Sequence, residues 1–122
     1  MVERRTLEFV VGIVAAATVA GGLSLYVEMP YALAVGLAAG TPALVRTSMR
    51  LNRTRYDAAK SSTEQVVDGA LAAAATAVVG LAGGYLVLSN GLTGPVASAV
   101  AAATGVFAGQ AVFYARNSRY IG

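Results

Sequence analysis

Two long apolar stretches, Leu7 to Val45 and Gly69 to Ala115, alternate along the chain with short basic patches. Within the first stretch only Glu8 and Glu28 carry formal charge, and within the second there is none. A helix crosses the ~30 Å hydrocarbon core of a bilayer in roughly 20 residues, so each stretch is too long for one crossing and suits two. The pattern predicts four helical spans, at about residues 5–27, 30–45, 63–88 and 95–116. Sixteen residues make a short second span, so its helix is expected to continue outside the membrane to about Tyr56. The fold class this implies is all-α: one domain over residues 1–122, an integral membrane protein built as a four-helix transmembrane bundle.

The breaks between spans carry turn and cap signals. Glu28-Met29-Pro30 makes the first loop, with proline suited to a first helical turn because its missing N–H has no intrahelical partner there. Pro42 lies inside the second span and is expected to bend it. Ser61 and Glu64 have capping-box spacing for the third span. Ser89-Asn90-Gly91 reads as a turn, with Thr93 and Pro95 as cap and first-turn residues of the fourth. Met1 to Gly22 can also be drawn as a secretory signal, but the apolar run continues through Leu23, Leu25 and Val27, which opposes cleavage.

Charge adds orientation. The nine basic residues fall at Arg4 and Arg5, between Arg46 and Lys60, and at Arg116 and Arg119. A chain that crosses twice between patches returns to the side it left. Lys and Arg concentrate on cytoplasmic flanks. Both termini are therefore expected in the cytoplasm, with the cell membrane as the location. The net charge of +3 reports this orientation and implies no nucleic-acid partner. Composition agrees: the chain is 57% hydrophobic and 12% charged, where a soluble domain carries about 25% charged residues.

Cys, His and Trp are absent from the sequence. That excludes disulfides, thiolate or imidazole metal sites, haem ligation through His or Cys, and Ser-His or Cys catalysis. Gly80, Gly83 and Gly84 lie in an apolar run without the strand that precedes a phosphate-binding loop. No cofactor, no metal and no enzymatic activity are expected.

The spans are rich in small residues, with 26 Ala and 14 Gly in the chain. Small faces let helix backbones approach closely in a membrane. Ser98, Ala101, Gly105 and Gly109 share one face of the fourth span, opposite Val96, Val100, Phe107 and Tyr114. Ala32, Gly36, Ala39, Gly40 and Ala43 group on the second span, and Gly69, Ala73, Gly80 and Gly84 on the third. The pairs Gly36/Gly40, Gly80/Gly84 and Gly105/Gly109 are expected at helix–helix contacts.

Candidate chemistry rests on few residues. Glu8 and Asp68 begin the odd-numbered spans, and a carboxylate inside a span can mark an ion or proton path. The alternative is an interfacial acid at a helix start, favoured by the helix dipole and nearby Arg4, Arg5 or Lys60. Arg46, Arg50 and Arg53, at i, i+4 and i+7 of the extended second helix, form a basic stripe suited to anionic lipid headgroups. Gln110 is the one amide within a span, placed to bond a neighbouring helix or a second subunit. Matched features separated by 60 to 64 residues point to a tandem duplication: Glu8 with Asp68, Gly21-Gly22 with Gly83-Gly84, and Arg55-Tyr56 with Arg119-Tyr120. Two functional expectations follow. One is a structural or accessory subunit that associates in the bilayer with copies of itself or another membrane protein. The other is an oligomeric small channel or transporter using Glu8 and Asp68.

Overall fold

A computed structural model describes residues 4–47 and 50–121. The described residues are helical throughout, apart from turns and one isolated antiparallel bridge between Leu51 and Ile121. In chain order the helices are α1 (Arg4–Leu23), α2 (Met29–Val45), α3 (Arg53–Ala59), α4 (Ser62–Ser89) and α5 (Gly94–Arg116). A single 3-10 turn, Ser118–Tyr120, follows. Three of these helices, α1, α4 and α5, are long and apolar enough to cross a membrane. The apolar α2 has 17 residues, or about 26 Å at 1.5 Å per residue.

The helix ends have local causes. Ser61 accepts from the Glu64 N–H while the Glu64 carboxylate accepts from the Ser61 N–H, the expected capping box, and α4 starts there. Proline stands in the first turn of both α2 and α5. Two expected boundaries are corrected. The first span ends as a helix at Leu23 rather than Val27, and the chain then turns. The second helix does not continue to Tyr56. Thr47 spends both its N–H and its hydroxyl on the Leu44 carbonyl, at 3.1 and 2.7 Å, which closes a tight turn behind Val45. A separate short helix, α3, then begins behind Asn52, whose side chain accepts from the Arg55 N–H. Ser48 and Met49 lie outside the described residues.

The helix–helix contacts are made by small residues, while large apolar side chains point outward. Phe107 is 75% exposed and Leu25 79%, whereas Ala32, Ala72, Ala97 and Ala101 are fully buried. In water this arrangement would be unfavourable; against lipid tails it costs nothing, and close backbone approach supplies the dispersion contact. Within each pair, α1 with α2 and α4 with α5, the helices run antiparallel. A Cβ at Gly36 would lie 2.6 Å from the Ala16 carbonyl oxygen of α1, and one at Gly40 would overlap the Gly12 carbonyl. On α5 a Cβ at Gly105 would lie 2.7 Å from the Thr76 carbonyl, and one at Gly109 would overlap the Thr76 hydroxyl. The Gly80 and Gly84 positions of α4 approach Ala34, Pro30 and Tyr31 of α2. Of the grouped residues on α2, Ala32, Gly36 and Gly40 are buried, but Ala39 is exposed.

Thus α2 is the central helix. It packs against α1, α4 and α5, while α1 packs substantially on α2 alone among the described helices. Larger side chains pack together where α3 and the start of α4 meet the ends of α2 and α5. There Val45, Leu51, Tyr56, Ala72 and Phe113 form a buried cluster, flanked by Tyr114, Tyr120 and Ile121. The Tyr56 ring lies 5.7 Å from Phe113 and stands edge-on to Tyr120 at 5.9 Å. With the Asn52 N–H donating to the Tyr120 carbonyl at 2.7 Å, these contacts fold the C-terminal turn onto α3.

Candidate functional site

The two in-span carboxylates lie at this same basic end, each enclosed by cations. Glu8, in the second turn of α1, is met by Arg53 from α3. One Arg53 amino group donates to Glu8 Oε1 at 3.0 Å and the other to Oε2. Arg4 approaches Oε1 at 3.4 Å from one turn before, and Arg46 at 3.8 Å from the end of α2. A guanidinium fork on a carboxylate is the strong form of ion pair, because two parallel bonds set both distance and angle. The Glu8 hydrogen bond raises Arg53 further above its ordinary value, outweighing the opposing effect of burial.

Asp68, in the second turn of α4, has no exposed surface. Its Oδ1 accepts from Arg116 Nε at 2.9 Å, and its Oδ2 accepts from the Tyr56 hydroxyl at 3.0 Å and from Lys60 Nζ at 3.2 Å. A buried carboxylate is costly unless its lone pairs are filled. Here they are filled from three different segments. Burial, and after it the hydrogen bond to Asp68, pushes the Tyr56 phenol above the usual tyrosine range.

The two clusters share no hydrogen-bond or ion-pair partner among the described residues, but they share α3, which sends Arg53 to Glu8 and, one turn on, Tyr56 to Asp68. Glu8 and Asp68 therefore do not face each other. The expected Arg46, Arg50, Arg53 stripe is likewise corrected. With α2 ended at Val45, Arg46 and Arg53 converge on Glu8 while Arg50 lies over the Tyr114 ring at 5.6 Å from its centre. Deeper in the bundle the polar groups are few. Thr41 Oγ1 lies 2.6 Å from the Leu37 carbonyl and 3.1 Å from Thr76 Oγ1, and the Thr76 hydroxyl donates to the Ala72 carbonyl at 3.0 Å. Gln110 is exposed on α5, and its side-chain amide makes no hydrogen bond among the described residues. No group of His, Cys, Asp or Glu able to hold a metal ion occurs among the described residues.

Arg116, Tyr56 and Arg53 are the partners that sequence reasoning missed. A signal existed for Arg116, and for Arg46 beside Glu8, but none for Arg53. In an antiparallel hairpin, residues equidistant from the turn come level with each other. Asp68 and Arg116 are equidistant from Leu92, and Glu8 and Arg46 from Val27, each in a loop between helices. Tyr56 left no comparable signal, because its place depends on where α3 breaks away from α2. Comparison of the chain with protein-family models, with curated proteins and with solved structures finds no match.

The chemistry open to these clusters is restricted. Each carboxylate is outnumbered by cations, so neither is a free base. A transported cation would have to displace a guanidinium or ammonium already in place. What the arrangement does well is hold five chain segments together at one end of the bundle.

Proposed function

We propose that the chain is a structural or accessory membrane protein, with four spans and both termini cytoplasmic in the cell membrane. It catalyses no reaction and holds no cofactor in this reading. The observation that carries it is the saturation of Asp68 by Arg116, Lys60 and Tyr56, together with the fork of Arg53 on Glu8. A transport site needs a carboxylate whose partner can leave, and these serve as internal ties. The positive-inside bias of the three basic patches supports the orientation.

Association would use outward faces, because Gly36, Gly40, Gly80, Gly84, Gly105 and Gly109 pack against helices of the same chain. The outward face of α5 is suited to it. Phe107 and Gln110 lie there one turn apart, both exposed, and an amide facing lipid gains from a partner that can both donate and accept. A second copy or another membrane protein with a polar group at that depth meets this need. The competing reading is an oligomeric channel or transporter working through Glu8 and Asp68.

Reconstituted liposomes decide between them. The accessory reading expects no flux under proton, sodium or potassium gradients, and a partner or second copy retained under mild solubilisation and lost with Gln110→Leu. Flux that is abolished by neutralising Glu8 and Asp68 while the protein stays folded would establish the transport reading instead.

A further inference from the structure

Beside the Glu8 cluster lies a cavity of about 670 Å³ whose walls come from α1, α2, α3 and α4. Its origin is topological. Because α1 packs on α2 and not substantially on α4, the two outer helices leave a groove floored by α2. Pro42, Ala43 and Arg46 of α2 line that floor, and Ala39, one turn before Ala43, is exposed. The cavity is polar at the basic end, where Arg4, Arg46 and Gln65 line it, and apolar below, where Pro42, Ala43 and Val66 do.

Charge at the polar end is not balanced. Three guanidiniums, those of Arg4, Arg46 and Arg53, surround the single Glu8 carboxylate. Asp57, which also lines the cavity and lies 4.0 Å from Arg53, leaves a surplus of one positive charge. Arg53 takes the strong bonds to Glu8, and among the described residues the Arg4 and Arg46 guanidiniums reach it by longer contacts, at 3.4 and 3.8 Å. Among the described residues, the Nε–H of Arg46 is buried without a hydrogen-bond partner. Turning this guanidinium into the cavity would give up a 3.8 Å contact and bring that N–H to an acceptor.

We propose that this cavity binds one anionic phospholipid, its phosphodiester on Arg4 and Arg46 and one of its two acyl chains along the α2 floor between α1 and α4. The surplus of one charge matches a phosphodiester headgroup without an amine. The polar-to-apolar order matches a lipid entering from the basic face, and Lys and Arg at that depth attract anionic headgroups. A free phosphate would use the arginines but leave the groove uncovered. The site differs from an Arg46, Arg50, Arg53 stripe: Arg50 lies over Tyr114, and Arg53 is held in its fork on Glu8.

Native mass spectrometry of the detergent-purified protein, titrated with phosphatidylglycerol or phosphatidylcholine, tests it. One phosphatidylglycerol should be retained in preference to phosphatidylcholine. Arg46→Gln and Arg4→Gln should each weaken retention by about tenfold, as for one charge-assisted hydrogen bond. Ala70→Phe, which fills the cavity from an exposed position of α4, should do the same without changing charge. Arg55→Gln, at an exposed position that does not line the cavity, should leave retention unchanged. Arg4 is largely exposed, so its variant and that of Ala70 keep the test valid if Arg46→Gln fails to fold. Equal retention of both lipids, an equal effect of Arg55→Gln, or displacement by inorganic phosphate at matching concentration would each overturn the proposal.

Discussion

Arg116 and Asp68 are separated by 48 positions in sequence, and the Arg116 Nε lies 2.9 Å from a carboxylate that has no exposed surface. This bond ties the end of α5 to the start of α4, and the other Asp68 partners tie α3 and the α3–α4 link to the same point. Asp68→Asn would leave Arg116 and Lys60 without their counter-ion. Breaking one partner of a buried pair costs about 3–5 kcal/mol, reduced here to about 2–4 kcal/mol because Arg116 is itself partly exposed. Unfolding in mixed micelles should show that loss, and Arg116→Gln combined with Asp68→Asn should cost less than the sum of the two. Additive losses would mean the pair does not interact.

Glu8 stands in a wetter cluster, with its side chain 20% exposed and that of Arg4 71%. Glu8→Gln keeps the length and one acceptor of the side chain, so its cost should be about 1–2 kcal/mol. The ranking is the test: Asp68→Asn must destabilise more than Glu8→Gln in the same micelles.

Glycine positions should divide by what a side chain would meet. Gly105→Leu drives bulk into the Thr76 backbone and Gly80, and should cost roughly 3 kcal/mol, the upper range of overpacking. Gly21 and Gly22 have nothing within 4 Å of an added Cβ, so Leu at either should be tolerated. Equal stability of all three variants would remove the packing role of Gly105.

Tyr56 makes stability depend on pH at the alkaline end. Its phenol is raised in the folded protein, so above about pH 10 the unfolded chain gives up this proton while the folded chain keeps it. The unfolded state then binds fewer protons, and stability falls as pH rises from the unfolded value toward the folded one. Below about pH 10 the contribution is complete. Tyr56→Phe lacks the titrating group, so its stability should decline less steeply than wild type between about pH 10 and about pH 12. Parallel declines would show that Tyr56 does not carry the effect.

Membrane orientation is accessible to labelling, because the chain has no cysteine to remove. Single cysteines at Thr54 on α3 and at Asn90 after α4, both exposed, should react with impermeant reagents from opposite sides. Thr54 should react only from the cytoplasmic side. Labelling of both from one side would end the four-span arrangement.

What the sequence by itself determined is the set of long helices and their small-residue faces. Hydrophobic length marks a helix whatever its neighbours are, and caps such as Ser61 with Glu64 act within four residues. The pairing of Asp68 with Arg116, and the longer contact of Glu8 with Arg46, were also implicit in the symmetry of the two hairpins; the fork of Arg53 on Glu8 was not. Tertiary structure alone decided the rest. That α2 ends at Val45 and a separate α3 begins at Arg53 rests on two bonds of Thr47 to the Leu44 carbonyl, and on α3 gaining Asp68, Glu8 and Tyr120 as partners. Those partners come from α1, α4 and the C-terminal turn, so no local pattern could encode them. The same holds for the groove between α1 and α4: a gap is a property of how helices are arranged, and periodicity within one helix cannot reveal which neighbour is missing.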